Sequence, residues 1–415
     1  MGRTAVFATA MAVFVSACGQ ARLAAPPTPL FTSGQRAAPT VVADTTPSHG
    51  TEPILASDVE SDAADTDVVD IGRMLIIDDA GNAAPNRSGW EAFDQSISAR
   101  LLPANVSASV AVMIDGQVVH QAAFGERIAG GSDPVESSDR FRIASISKLV
   151  TAIVALQLVE DGTLTLDDPV GDVLVRHLGL GNYDPDVAGL TLRRLLSHTA
   201  GFPQHENMFF SNGATSCVDA ATQGLSRSVA STTSFRYSNM SYCVIGILIE
   251  AVTGKTYERV VHERLLTPLG IGGMRISSTY DLGPDEVSHH PTPGRNFMET
   301  LGAAGAWNAT PTDLVTIINS IDNSTPGWKA LSPEMAEAMR YRIPNELPPA
   351  GYGLGVINYD AGFGHTGTIQ NTHAMVLVQP DGVTWAVTVS GEYPSDTPQL
   401  RHIVRNALLA GFATG

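Results

Sequence analysis

Three short segments hold the residue types that acyl transfer needs. Ser145 and Lys148 stand three apart in Phe141-Arg-Ile-Ala-Ser-Ile-Ser-Lys-Leu-Val-Thr-Ala152. Residues three apart share a helix face, so the hydroxyl and the amine can meet. A serine hydroxyl is a weak nucleophile until a base takes its proton. Lysine does this only as the neutral amine, which requires a desolvated site or nearby positive charge. The chain has only three lysines, Lys148, Lys255 and Lys329. It leaves its other cationic positions to arginine, which cannot be deprotonated and so cannot serve as a base. A helix starting near Ser145 adds its positive end, which favours both a neutral amine and a developing oxyanion.

Tyr237-Ser238-Asn239 offers a second set of groups. A phenol held partly ionised beside a lysine ammonium is another candidate proton shuttle, and the Asn239 amide can position a substrate carbonyl. The competing reading of this tripeptide is a capped helix start, with Ser238 or Asn239 as the cap. The third segment is His365-Thr366-Gly367-Thr368, just before a strand starting at Ala374. An edge strand there can pair its backbone with an extended acyl substrate, and Gly367 lets that backbone come close. The backbone N–H groups of Thr368 and Ser145 are then the candidate oxyanion hole. Taken alone, this loop also reads as a simple turn.

The elements that would position these groups follow from periodicity. Trp90, Phe93, Ile97 and Leu101 recur at helical spacing. Ser107 to Ile114 and Val118 to Phe124 flank Asp115-Gly116-Gln117 as a β-hairpin. A helix is predicted from Ser145 to Glu160, stopped by Asp161-Gly162, with Leu149, Ile153, Leu156 and Val159 on its apolar side. From Leu164 to about Pro311 helical pieces alternate with Gly- and Pro-rich loops. Ala374 to Val378 and Thr384 to Val389 then flank Pro380-Asp381-Gly382 as a second hairpin, and a last helix starts near Thr397. Helix, strands, helical insertion, strands, helix is an α+β arrangement with a mostly antiparallel sheet.

The 415 residues carry a formal charge of -17, which leaves no basic stripe for phosphates and argues against a nucleic-acid partner. Residues 1–18 read as a lipoprotein-type signal peptide: Arg3, an apolar run from Ala5 to Val15, then Val15-Ser16-Ala17-Cys18. The small residues before Cys18 resemble the bacterial lipobox, in which that cysteine is lipidated; an ordinary secretory signal is the alternative. Export with a lipid anchor at the cell envelope is therefore the expected location, the anchor being the membrane contact. Residues 19–87, rich in Pro, Thr and Asp, read as a disordered tether. Residues 88–412 read as the catalytic domain, with its helical lobe at about 164–311. Cys217 and Cys243 remain as a possible disulfide or as two buried thiols.

His289-His290 and the pair His198 and His205 invite a metal reading, but no H-E-x-x-H or similar ligand spacing occurs, so these are expected to be structural or surface histidines. No metal or cofactor is expected. The serine lies outside any G-x-S-x-G elbow.

The three segments, in this order, resemble the serine hydrolases that include class C β-lactamases, DD-carboxypeptidases, esterases and D-aminopeptidases, over about Ser88 to Phe412. Leu195-Leu196-Ser197-His198-Thr199-Ala200-Gly201-Phe202-Pro203, Gly302-Ala-Ala-Gly-Ala-Trp307 with Asp313-Leu314, and Tyr352-Gly-Leu-Gly355 add to the likeness. The resemblance implies a β-lactamase/transpeptidase-like fold: an antiparallel sheet flanked by the terminal helices, an all-helical lobe and a cleft between them. It implies Ser145 as acylated nucleophile, Lys148 and Tyr237 as the proton-transfer pair, Asn239 as polarising ligand, and His365, Thr366 and Gly367 on the substrate rail. Class C β-lactamases have Lys where this chain has His365, which turns the expectation toward an ester or D-amino-acid peptide. Below its pKa, a histidine there still offers charge to a substrate carboxylate. The expected partner is a small-molecule or peptidoglycan-peptide substrate; a surface-tethered protein that binds such peptides with little turnover is the rival reading. The oligomeric state is left open.

Overall fold

The computed structural model describes residues 75–77, 83–85 and 87–413, apart from 129, 204–205, 228, 230–233, 290–292, 341–350, 360–361 and 381. The expected signal segment with Cys18, most of the expected tether, His205 and His290 lie outside the described residues. Two parts of the tether region do form structure: β1 (Leu75–Ile77) pairs antiparallel with β2 (Ala83–Pro85). This corrects the expectation of disorder throughout 19–87. Leu75-Ile76-Ile77 is a short apolar run, with two β-branched residues, inside a polar composition, and an average over the segment hides it.

Helix α1 (Arg87–Leu101) buries Trp90, Phe93, Ile97 and Leu101, the predicted stripe. Each such side chain contributes about 1.5–3 kcal/mol by leaving water. The first hairpin follows as β3 (Ser107–Ile114) and β4 (Gln117–Phe124), with Asp115 and Gly116 at positive φ as the two-residue turn requires. Strand β5 (Phe141–Arg142) leads through a 3-10 turn, Ala144–Ile146, into α2 (Ser147–Glu160).

The stretch 164–311 contains α3 (Gly171–Leu178), α4 (Leu192–Leu196), α5 (Glu206–Phe210), α6 (Cys217–Leu225), α7 (Asn239–Thr253), α8 (Tyr257–Val261) and α9 (Phe297–Leu301). It also carries two short strands, β6 (Arg275–Ile276) and β7 (Trp307–Ala309), which join β5 in a three-stranded sheet of order β5-β7-β6. Strands of two or three residues are too short to show alternation, so pattern alone passes over them. Helices α10 (Pro311–Asn319) and α11 (Pro333–Arg340) follow; Thr310 and Asp313 close a reciprocal capping box at the start of α10.

The chain then returns to the main sheet with β8 (Gly351–Tyr352), β9 (Ile357–Tyr359), β10 (Gly362–Ile369), β11 (Thr372–Val378) and β12 (Val383–Ser390), ending in α12 (Thr397–Ala413). The seven strands run β4-β3-β12-β11-β10-β9-β8, every neighbour antiparallel. All eight residues of β3 and of β12 are buried, because both faces of the sheet are covered. Alternate residues serve two cores. Ala108, Val110 and Val112 pack with α1 and α12, which lie together on one face. Ala111 and Met113 face the other core, where α10 packs on β3, β11 and β12 and where α2 and α7 are buried. Among the described residues no helix is long and apolar enough to cross a membrane.

Candidate active site

Ser145 sits on a tight corner between the small sheet and α2. β5 pairs with β7, the Ile143 N–H donates to the Trp307 carbonyl at 3.1 Å, and the Trp307 N–H donates to Ser147 Oγ at 3.2 Å. Between these anchors Ala144 has φ 47°, left-handed backbone that costs a residue with a Cβ roughly 1–2 kcal/mol. Strain of this kind is held only where surrounding contacts fix it. The corner places Ser145 at the N-terminal end of α2, with Lys148 in the first turn.

Lys148 is fully buried. Its Nζ lies 3.0 Å from Ser145 Oγ, 2.8 Å from Asn239 Oδ1 and 2.8 Å from the Ala304 carbonyl. These three acceptors satisfy an ammonium. They equally satisfy a neutral amine, which donates to Asn239 and Ala304 and accepts the Ser145 proton. The arrangement can therefore carry the proton before and after attack without leaving a buried donor unmet. Asn239 is thus a ligand of the lysine, and Ser238 Oγ donates to the Pro203 carbonyl at 3.1 Å. Ser238 does stand at the N-cap position of α7 with extended backbone, as the capped-helix reading has it, but its side chain makes no capping hydrogen bond.

Tyr237 brings its ring to 4.9 Å from Lys148 Nζ. Its hydroxyl is withdrawn from solvent and lies near the Ser145 hydroxyl, but it makes no hydrogen bond of normal geometry among the described residues. Burial pushes the phenol's pKa up, and the Ser145 hydroxyl offsets only part of this. The expected partly ionised phenol is therefore corrected: removal from water penalises the charged form more than the site favours it.

β10 is an interior strand in its first half only. β9 pairs with Gly362, Phe363 and Gly364, while β11 pairs from Phe363 to Ile369, so 365–369 form an edge toward β9. At Gly367 the strand presses on the nucleophile corner: a Cβ there would stand 2.2 Å from the Ile143 carbonyl oxygen and 3.0 Å from the Ala144 Cβ. Only glycine permits this approach. Thr368 follows immediately.

His365 departs from its expected role. It is fully buried, with Nδ1 2.7 Å from the Thr366 carbonyl and Nε2 3.1 Å from the Tyr352 hydroxyl. A carbonyl only accepts, so Nδ1 carries the ring proton and Nε2 accepts from Tyr352. Burial, then the Lys148 charge, lowers its pKa to about 3. The charge expected for a substrate carboxylate is thus withheld at neutral pH.

Several neighbours of the site escaped sequence reasoning. The Ala304 carbonyl, His198, Tyr242 and Tyr352 lie in motifs quoted above only as points of likeness, or between them. Gly355, at φ 91°, would put a Cβ 2.2 Å from Ala152 of α2, so the Tyr352 turn packs directly on the lysine's helix. His289 is a structural tie: its Nε2 accepts the Arg142 N–H at 3.1 Å and its Nδ1 meets Thr372 Oγ1 at 2.9 Å. Cys217 and Cys243 are joined as a disulfide between α6 and α7. No cluster of metal-ligating side chains occurs among the described residues.

An α+β fold with a serine–lysine pair at a helix start, faced by a tyrosine, an asparagine and a sheet strand, defines a class of acyl-transfer hydrolases. The family model described as Beta-lactamase matches residues 98–409, and the chain belongs to that family. It is a β-lactamase-related, penicillin-binding-protein-like serine hydrolase. Penicillin-binding protein 4 of Amycolatopsis lactamdurans is 28% identical over 312 residues, spanning 68% of this chain and 80% of that protein. Other curated relatives are spanned over 39–60% of their own length. Among solved structures, SurE with D-Leu aligns with a TM-score of 0.64 at 25% identity, covering 80% of this chain and 77% of that one. The D-amino acid amidase from Ochrobactrum anthropi SV3, complexed with L-phenylalanine amide, aligns with a TM-score of 0.62 at 21% identity over 77% and 98% of the two chains. That last likeness is one of fold.

Proposed function

We propose that this chain hydrolyses esters or amides, D-amino-acid peptides among them, through an acyl-enzyme on Ser145. The observation that carries the reading is the contact of Lys148 Nζ with Ser145 Oγ inside a buried cage of uncharged acceptors. The neutral amine takes the serine proton as Oγ bonds to the substrate carbonyl carbon. The oxyanion accepts from the Ser145 and Thr368 backbone N–H groups. As the carbonyl re-forms, the bond to the leaving amine or alcohol breaks, and that group takes the proton back from Lys148, with the protonated Tyr237 hydroxyl beside it as relay. Water then repeats the sequence and frees the acid.

The neutral, enclosed His365 supports a substrate without a carboxylate at that subsite, an ester or amide ahead of a β-lactam or of a peptide with a free C-terminal carboxylate. The likeness to SurE, solved with D-Leu, at 25% identity adds support for D-amino-acid chemistry.

A fluorophosphonate probe is expected to label the wild type and not Ser145→Ala. Lys148→Arg keeps the charge but not the base, and is expected to lose at least about 100-fold in kcat. Values of kcat/KM for a nitrophenyl ester, a D-Ala-D-Ala peptide and a cephalosporin on one sample order the substrates. Labelling that survives Ser145→Ala, or near-normal turnover of Lys148→Arg, would refute the mechanism. A cephalosporin preferred over both others would refute the substrate class, and an enzyme that is labelled but barely turns over would favour the peptide-binding reading.

A further inference from the structure

Among the described residues four hydrogen bonds tie the end of α4 and the loop after it to residues 236–242 at the start of α7, and His198 accepts two of them. Tyr242 Oη donates to the Leu196 carbonyl at 2.8 Å, and Ser238 Oγ donates to the Pro203 carbonyl at 3.1 Å. Between these, the Arg236 N–H donates to the His198 carbonyl at 2.9 Å and the Ser238 N–H donates to His198 Nδ1 at 3.1 Å. The residues on either side of Tyr237 are thus both held by His198. Its ring also packs on Tyr237 at 4.3 Å between centroids, with Tyr352 at 4.7 Å and Tyr242 at 5.2 Å.

Two features separate His198 from an ordinary core histidine. Its backbone has φ 58°, which brings its carbonyl and its ring to the same segment. An Nδ1 that accepts from an amide must be unprotonated, so the ring proton is on Nε2. Nε2 is buried and has no hydrogen-bond partner among the described residues. Burial, the Lys148 charge and His365 all lower this histidine's pKa well below the usual range, which keeps Nδ1 an acceptor across the neutral range.

We propose that His198 is a positioning residue for acyl transfer, whose neutral Nδ1 accepts the Ser238 N–H and so sets Tyr237 and Asn239 against the Ser145–Lys148 pair. This rests on the Ser145 acyl-enzyme reading. The ring does not touch the reacting atoms. It acts through the register of residues 237–239, where Asn239 Oδ1 holds the lysine at 2.8 Å. A displacement of about 1 Å in such a group is enough to cost roughly 100-fold in rate.

The test compares His198→Asn with His198→Gly in the full chain. Asparagine keeps an acceptor at the Nδ1 position and tolerates the left-handed backbone; glycine tolerates the backbone and keeps no acceptor. Pre-steady-state bursts with a nitrophenyl ester give the acylation rate per competent site, so loss of folded protein does not enter, and Tm is recorded alongside. For His198→Gly an acylation rate lower by about 100-fold with KM within about threefold is expected; for His198→Asn a rate within about fivefold of wild type. Comparable Tm values for the two variants would make the split in rate a positioning effect. Wild-type acylation in His198→Gly, or equal loss in both variants, overturns the proposal while leaving Ser145 as nucleophile. Should His198→Gly fail to fold at 25 °C, its acylation rate is read at a lower temperature where it folds, beside wild type and His198→Asn at that temperature, with the same expectations. A wild type with neither burst nor probe labelling removes the acyl-enzyme reading, and this proposal with it.

Discussion

Lys148 and His365 lie in the same buried region, yet their surroundings give them opposite parts. The lysine meets three oxygens that suit either protonation state. The histidine has each ring nitrogen already engaged by a neighbour, and charging it would reverse the bond with Tyr352. Two consequences are measurable. With His365 lowered to about 3 and His198 well below its usual value, neither histidine titrates near 6.5 in the folded enzyme. The pH profile of kcat is therefore expected to show no inflection of a histidine between 6 and 7. The unfolded chain, by contrast, takes up protons on these rings below about 6.5, so their contribution to stability is fully present above that pH. It is lost as pH falls from there toward 3. His365→Asn is expected to reduce the slope of unfolding free energy against pH by about 1.4 kcal/mol per unit over that window. Denaturant melts at pH 4, 5, 6 and 7 measure it, and an unchanged slope would show that His365 is exposed or charged.

Among the elements, the closest approach is that of β10 to the corner between β5 and α2. A seven-stranded antiparallel sheet with buried faces holds β10 rigidly from the β11 side, and the small sheet of β5, β7 and β6 holds the corner. The two bodies meet at Gly367 and Ile143. A side chain at 367 must push the strand away from the corner and carry the Thr368 N–H with it. Gly367→Ala is expected to lower kcat/KM by about 100-fold, with the far-ultraviolet circular dichroism unchanged. Wild-type turnover of that variant would show that the rail needs no such contact. The hairpins β3–β4 and β11–β12 and helices α1, α2 and α12 were legible from period and turn residues, because those signals are local. The strands β5, β6 and β7 were not, since two or three residues carry no period, and β5 owes its pairing to β7, more than a hundred residues away.

At the scale of the whole molecule, the disulfide and the site share one region. Cys217 and Cys243 join α6 to α7 across a separation of 26 residues, and Gly302, at the turn that supplies the Ala304 carbonyl, would put a Cβ 2.8 Å from Cys217 Cβ. Closing a loop of that length stabilises by about 3 kcal/mol, chiefly by restricting the unfolded chain. Reductant, or the double variant Cys217→Ala and Cys243→Ala, is expected to lower Tm by several degrees while activity at 25 °C persists; an identical Tm with and without reductant would exclude a contribution from the bond. The sequence by itself determined the α+β order of elements, the pairing of Ser145 with Lys148 and the three segments that meet there, because spacing on a helix and the chemistry of a serine, a lysine and a glycine are local properties. It left the cysteines open, and it let His365 offer a donor and, below its pKa, a charge. Tertiary structure decided those points, together with the third acceptor on the lysine, which comes from Ala304, 156 residues along the chain. Protonation state and hydrogen-bond partner depend on what removes a group from water and what faces it there, and only the folded chain brings those neighbours together.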